Sequence, residues 1–332
     1  ITDIDYAIRY TQQGESFDLG FLGASEADEP FTKGKDFYSI RTVKNGENYS
    51  IGYLGTYTDR PVLDRNADAH SIDAVYRPNN KIRLESIFLT SNVEQGIDDT
   101  ESSGEAFRFR LTASPRKGRW HDVGIFYFGE EFDMTDMGYQ MTNDWIFAGT
   151  QNGLKLTDFK DSSIFLSNEF ELGFGFEGNA DLDKSTTFTY LNFKSTFKNT
   201  SFMEFGNFHK AASKDFWITR GNKDADFIKK PENYGTSLQY KGPSKNFFNY
   251  FLEIKREKGQ QWGFSALGFS TSYTAKIDLA LKDNLKFSLM HQHSDEDNWL
   301  NWEKDNLLSL YENKKQRTTV ASLNWFGGDR HE

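Results

Sequence analysis

Strict alternation of apolar and polar side chains runs through residues 106–114, which read AFRFRLTAS. The phenylalanines of this stretch fall on one side and its arginines on the other. Because successive side chains of an extended strand point to opposite faces, a period of two residues predicts a β-strand with one apolar and one polar face. The same alternation recurs at residues 169–176, 248–255 and 272–282, and no segment has convincing helical spacing.

Short turn signals divide the chain into hairpins. They lie at residues 13–14, 45–46, 78–80, 115–118, 160–161, 198–199, 242–244, 283–284 and 327–329. Longer polar segments alternate with them, at residues 26–34, 59–68, 96–104, 130–144, 177–186, 209–233, 257–269 and 293–314. The prolines fall in these turns and loops, as the hydrogen bonding of a sheet requires. Counting the segments predicts about 17 strands, and short turns alternating with long loops are typical of transmembrane β-barrels.

The composition fits a fold whose apolar surface meets lipid. The 332 residues carry a net charge of -10 and only 37% hydrophobic residues, yet 16% are aromatic. We therefore predict an all-β protein: a transmembrane antiparallel up-and-down β-barrel of about 16–18 or more strands, with short periplasmic turns and long extracellular loops. A soluble β-sandwich, propeller or solenoid is the alternative, although its strands would average about 5–6 residues.

Composition also excludes several function classes. The absence of cysteine rules out disulfides, thiolate metal sites and a cysteine nucleophile. The acidic balance argues against a nucleic-acid partner, which needs lysine and arginine to neutralise phosphates. No apolar run reaches the roughly 18 residues of a membrane helix.

Charged residues on the polar sides of the predicted strands are candidates for lining the interior. They are Arg9, Arg41, Arg83, Glu85, Arg108, Arg110, Glu169, Glu171, Lys194, Glu253, Lys255, Lys276 and Asp278. Rings of charge set solute selectivity in channels, whereas opposite charges could instead pair across neighbouring strands. The arginines at 108 and 110, beside those at 41 and 83, are the best anion-attracting group.

Aromatic residues near predicted strand ends suit the girdles that anchor a barrel at the membrane interfaces. They are Trp120, Tyr127, Trp145, Tyr240 and Trp325.

The histidines give little support for metal or acid–base chemistry. His291 and His293 share one face of a strand, but they supply only two nitrogens, and a solvated strand end is the favoured interpretation. No serine lies in a Gly-x-Ser-x-Gly context, and His121 follows a turn beside Trp120. We therefore expect no metal, no cofactor and no enzymatic activity, with an outer-membrane hydrolase as a lesser alternative.

Several segments resemble a known family. Residues 128–139, FGEEFDMTDMGY, followed by Asn-Asp-Trp at 143–145, resemble an outer-membrane barrel family of unknown function. Its members carry an upstream domain similar to family 9 carbohydrate-binding modules. Residues 3–9, 297–302 and 324–332 resemble the same family. The resemblance implies that residues 1–332 form a single barrel domain, lacking the carbohydrate-binding-like domain and a closing strand.

The resemblance and the strand pattern together lead to a functional hypothesis. We expect a channel or transport scaffold in the outer membrane of a Gram-negative bacterium, for carbohydrate-related solutes if the upstream domain delivers them. The alternative is a structural barrel that sheathes or anchors a partner protein or lipoprotein. The expected partners are outer-membrane lipid and lipopolysaccharide, and a protein in or beside the barrel.

Overall fold

The computed structural model describes residues 3–28, 33–96, 100–136, 140, 143–182, 185–215, 228–243, 245, 247–259, 267–282, 284–304 and 307–325. Across these ranges the protein is all-β, with one 3-10 turn at Pro61–Leu63. No helix in this part of the chain has the length and hydropathy needed to cross a membrane. The chain divides into two compact units: residues 1–150 with 177–183 (unit 1), and residues 151–176 with 184–332 (unit 2).

Unit 1 is an antiparallel sheet in which consecutive strands pair. Its strands are β1 (Ile4–Gln12), β2 (Phe17–Glu26), β3 (Asp36–Asn45), β4 (Tyr49–Arg60), β5 (Arg65–Asn79), β6 (Ile82–Gln95), β7 (Thr100–Arg116) and β8 (Arg119–Phe128), followed by the first half of β9 (Trp145–Leu156). Each of β1 to β7 pairs with the next strand in sequence. The up-and-down order predicted from the turns is therefore confirmed.

Unit 2 continues the same pattern. Its strands are β10 (Phe165–Gly178), β11 (Thr186–Phe197), β12 (Phe202–Lys210), β13 (Ser213–Asp215), β14 (Ile228–Lys230), β15 (Asn233–Lys241), β16 (Phe248–Lys258), β17 (Phe269–Lys282), β18 (Leu285–Lys304) and β19 (Leu307–Trp325). From β11 onward each long strand pairs antiparallel with the next long strand. The short β13–β14 hairpin lies in the connection between β12 and β15. Apart from that hairpin, the described residues form seventeen strands, as the sequence predicts.

Connections of nine residues or more follow β2, β8, β12 and β16, and several of the predicted long loops are shorter than expected. Tight turns join β5 to β6 and β7 to β8, as predicted, whereas residues 327–329 lie outside the described part of the chain. The segments at 59–68, 96–104 and 293–314 are mostly strand, because the backbone ladder continues after the apolar alternation stops. A ladder needs only extended backbone and a partner strand, so polar side chains do not end it.

Burial in unit 1 is inverted relative to a soluble protein. The register places large apolar side chains such as Ile8 and Ile72 together on one side of the sheet, where they are 57% and 58% exposed. On the other side, Thr58 and Ser91 are 0% and 1% exposed. We call these sides the apolar face and the polar face. A soluble antiparallel sheet normally packs its apolar face on a core and leaves its polar face in water.

Unit 2 has the same inversion. Leu252 and Ile254 on its apolar face are 50% and 54% exposed, whereas Asn233 and Glu257 on its polar face are nearly covered. The register places Asn233 and Glu257 on the side of the sheet opposite to Leu252 and Ile254.

Candidate functional site

The strand register brings the predicted charged residues of unit 1 onto one face. Leu54 lies between Arg41 and Ser71 across neighbouring strands, and Ile87 lies between Asp73 and Arg108. By the same register the predicted set shares the polar face: Arg9, Arg41, Arg83, Glu85, Arg108 and Arg110. The polar face of unit 1 is therefore the candidate functional surface.

Three of these arginines are neutralised by carboxylates. Arg41 makes a two-pronged contact with Asp73, in which Nη2 donates to Oδ1 at 2.9 Å. Arg110 Nε donates to Asp122 Oδ2 at 2.7 Å, and Thr112 Oγ1 donates to the same oxygen at 3.0 Å.

Arg83 pairs with Glu85 two residues along the same strand. Of the three pairs, only Arg110 with Asp122 joins neighbouring strands, the alternative left open by the sequence, since Arg41 and Asp73 lie two strands apart. Asp73 and Asp122 were missed because their strands alternate less regularly than β7.

Arg108 differs from its neighbours. Its guanidinium lies over the ring of Phe126, 5.1 Å from the centroid. Its Nε is buried without a hydrogen-bond partner, and in the described part of the chain Arg108 forms no ion pair. It lines a cavity of about 330 Å³ on the polar face. Arg41, Leu54, Asp73, Val75 and Ile87 are among the other residues that line it.

The segment after β8 folds back over the polar face. Phe132 is fully buried, with its ring 5.8 Å from that of Phe128. The backbone of residues 131–132 passes so close to Gly104 that a Cβ at this glycine would lie 2.2 Å from Phe132 N. Ser91 Oγ accepts a hydrogen bond of 2.9 Å from Asp133 N, so the loop is anchored to the sheet as well as packed on it.

Two arginines at the β4–β5 connection hold this loop. Asp136 accepts hydrogen bonds from Arg60 Nη1 at 2.7 Å and from Arg65 Nε at 2.8 Å. Arg65 Nη2 also donates to Asp133 Oδ2 at 2.8 Å. The Asp136 side chain is only 2% exposed. We call these four residues the loop clamp.

The electrostatics of the clamp favour ionised carboxylates. Burial acts to raise the pKa of Asp136, but the hydrogen bonds from Arg65 and Arg60 outweigh it, and the pKa is lowered. Burial likewise opposes ionisation of Asp133, whose pKa is lowered by hydrogen bonds from Thr135 and Arg65. The clamp arginines could not be predicted from local sequence, because their partners are separated from them by 68 to 76 residues.

Two of the five predicted interfacial aromatics lie on the polar side. The ring of Trp145 is 6.4 Å from that of Phe126 and 6.0 Å from that of Phe128, which places it in the aromatic cluster beside the loop. Trp120 alternates with Asp122 and is half-buried.

The other three lie on the apolar face. Tyr127 stacks on Phe107 with a centroid separation of 5.5 Å. Tyr240 is opposite Leu252, and Trp325, at the end of β19, is 72% exposed.

The predicted charged residues of unit 2 have polar partners on their own polar face. The pairs are Glu169 with Lys155, Glu171 with Asn192, Lys194 with Glu204, Glu253 with Gln239, Lys255 with Glu257, and Lys276 with Asp278. A second cavity, of about 340 Å³, lies among Glu171, Tyr190, Asn192 and Lys255. Lys255 there is paired with Glu257, and Glu171 accepts a hydrogen bond from the amide of Asn192.

The paired histidines lie against an aromatic ring. Tyr273 is 6.0 Å from His291 and 5.0 Å from His293, measured between ring centroids. His291 Nδ1 is 2.8 Å from Thr319 Oγ1. Over the residues that the structure describes, no group of three or more histidine, cysteine or acidic side chains could hold a metal ion.

Two solved receptors and one solved channel are similar to this chain at low identity. BauA, the ferric preacinetobactin receptor from Acinetobacter baumannii, is 10% identical with a TM-score of 0.41, and the match covers 99% of this chain and 59% of the receptor. The ferric-catecholate import receptor Fiu of E. coli K12, in its closed form, is 11% identical with a TM-score of 0.36, covering 96% and 60%. The CymD monoaromatic hydrocarbon channel is 10% identical with a TM-score of 0.26, covering 95% and 90%. TM-scores below 0.5 do not establish a shared fold, and this chain spans about three fifths of either receptor.

Comparison with curated proteins finds no match. A family model does match, over residues 31–325, and its description is "Domain of unknown function (DUF5916)". Because that match covers most of the sequence, the chain belongs to this family.

Proposed function

We propose that this chain is a transmembrane β-barrel of the bacterial outer membrane, through whose interior solutes pass. The observation that carries the proposal is the inverted burial, with Ile72 58% exposed on one face and Thr58 covered on the other. Burying apolar surface stabilises by roughly 25 cal/mol per Å², so a face of this kind favours lipid over water. Apart from the β13–β14 hairpin, the strands have 9 to 20 residues. They are long enough to span a bilayer, since a transmembrane β-strand needs about 9–11 residues.

The polar face then lines the interior. Ion pairs such as Arg41 with Asp73 and Arg110 with Asp122 keep this surface hydrophilic. Because their opposite charges cancel, they add little net electrostatic potential. The loop that carries Phe132 covers part of the polar face and would narrow the passage. Closing the sheet would also leave no unpaired strand edge in the membrane.

The class of solute and the partners are finer parts of the proposal. Carbohydrate-related solutes rest on the family resemblance alone. Outer-membrane lipid and lipopolysaccharide would contact the apolar face of each unit, which includes Ile8 in unit 1 and Ile254 in unit 2. We propose no catalytic role, no cofactor and no nucleic-acid partner.

Conductance in planar lipid bilayers tests passage directly. The full-length protein, purified from native outer membranes, should give discrete conductance steps and release solutes from loaded liposomes. A protein that inserts but neither conducts nor releases solute would overturn the proposal. Co-purification of a stoichiometric protein that blocks conductance would instead favour a barrel that sheathes a partner.

A further inference from the structure

We propose that the cavity beside Arg108 binds a monocarboxylate with an apolar body, and that Arg108 is the residue that binds its carboxylate. The site rests on the proposed function, because a solute would reach this cavity along the barrel interior. It deepens that function by naming a solute class that the charge pattern of the sequence does not specify.

The charges of the polar face leave one arginine available. Arg41, Arg83 and Arg110 each have a carboxylate partner. Arg108 has none in the described part of the chain, and its Nε is buried without an acceptor. A desolvated donor without a partner is unfavourable, whereas a charge-assisted hydrogen bond to a ligand oxygen would satisfy it. Arg9 also lacks an ion-pair partner there, but it is exposed on β1.

The orientation of Arg108 suits a carboxylate. Phe126 covers one face of the guanidinium at 5.1 Å, which limits its rotation and leaves its edge donors for a ligand. A planar guanidinium offers two parallel N–H groups to the two oxygens of a carboxylate. The ring therefore presents the fork of donors in a fixed direction.

The remaining wall selects the body and the charge of the ligand. Leu54, Val75 and Ile87 line the cavity with aliphatic surface, which favours an aromatic or aliphatic body over a sugar. Asp73 and Glu85 also line it, and their charges are already matched by paired arginines. With those two pairs neutral, Arg108 supplies one uncompensated positive charge, which a monoanion matches and a dianion would exceed.

Ligand-observed ¹⁹F NMR tests the site with 4-fluorobenzoate and its neutral isostere 4-fluorobenzamide. The full-length protein in lipid nanodiscs should broaden the benzoate resonance saturably and leave the benzamide resonance unchanged relative to empty nanodiscs. Arg108→Gln should raise the Kd for benzoate by about tenfold or more, since a charge-assisted hydrogen bond is lost. Arg9→Gln is the matched control, because it removes the same charge from the same face and should leave the Kd unchanged.

Three results would overturn the site: equal binding of benzoate and benzamide, wild-type affinity in Arg108→Gln, or equal weakening in Arg9→Gln. If Arg108→Gln does not fold, competition on the wild-type protein decides, because 4-fluorophenylphosphonate should displace benzoate poorly at a pH where it is a dianion. Stronger displacement by the phosphonate would contradict a monocarboxylate site. Conductance without benzoate binding would refute this site alone, whereas binding without conductance would refute passage and keep the site.

Discussion

Replacing Asp136 by asparagine should release the loop from the polar face. The carboxylate is 2% exposed and accepts from both Arg60 and Arg65, so the substitution removes the charge from two short hydrogen bonds while keeping the side-chain size. A hydrogen bond to a charged group contributes about 1.5–3 kcal/mol, and breaking a fully buried ion pair costs about 3–5 kcal/mol. Arg60 is 31% exposed and can rehydrate, so we expect a loss near the low end, about 2–3 kcal/mol.

Hydrogen–deuterium exchange of the peptide covering residues 129–136 measures this loss. When the loop recloses faster than an open amide exchanges, the exchange rate is proportional to the equilibrium constant of local opening. A local destabilisation of 2–3 kcal/mol then corresponds to about 30- to 150-fold faster exchange. The matched control is Glu130→Gln, because Glu130 is exposed on the same loop and lies outside the clamp. It should exchange within twofold of the wild type.

Two outcomes would refute the reasoning. Exchange in Asp136→Asn at the wild-type rate would mean that packing of Phe132, rather than the clamp, holds the loop. Equally faster exchange in Glu130→Gln would mean that the net charge of the loop, rather than its ion pairs with Arg60 and Arg65, controls its stability. A double-mutant cycle with Arg60→Gln should show non-additive losses, because both substitutions break the same contact.

The remaining predictions concern pH, close packing and lipid contact. The pKa values of Asp133 and Asp136 are lowered in the folded protein, so their stabilisation is fully present above the unfolded value of about 3.9 and is lost as pH falls through the lower folded value. Loop exchange, corrected for intrinsic rates, should therefore be constant from about pH 5 to 8 and rise below about pH 4, and a rise beginning near neutrality would contradict the clamp. Gly104→Ala should destabilise the loop by about 1–3 kcal/mol in the same assay, since its Cβ would meet loop backbone at 2.2 Å. Gly20→Ala is the control, because the nearest atoms there lie 3.9 Å away, and equal loss in both would dismiss the close contact. Ile72→Lys should cost about 2–4 kcal/mol of folding free energy in lipid vesicles while Ile72→Leu stays near wild type, and equal stability of the two would count against lipid on the apolar face.

Local chemistry was enough to predict the strands and most turns. The alternation at 106–114 became part of β7, and the turn at residues 117–118 lies where glycine and charged residues interrupt it. A period of two is a property of extended backbone, so it can be read without knowing which strand is the neighbour. The ends of β4, β5, β18 and β19 were not predictable, because pairing extends them through polar sequence.

The clamp and the available arginine required tertiary information. Nothing local connects Arg65 with Asp136, which are 71 residues apart, or shows that the loop turns back over the sheet. The sequence placed Arg108 and Arg110 side by side as equals. The register between β7 and β8 places Asp122 within hydrogen-bond distance of Arg110 and places Phe126 under the guanidinium of Arg108.

Local sequence patterns were sufficient to predict the all-β class, the up-and-down order of the strands and which charged residues share a face. Each of these follows from the two-residue repeat of a strand and from the local preferences of turn residues. The tertiary structure decided which of those charges are neutralised, where the loop lies and where Arg108 is left without a carboxylate. These depend on the pairing register, which brings together residues far apart in the chain, and ionic contacts depend on distance in space rather than along the sequence.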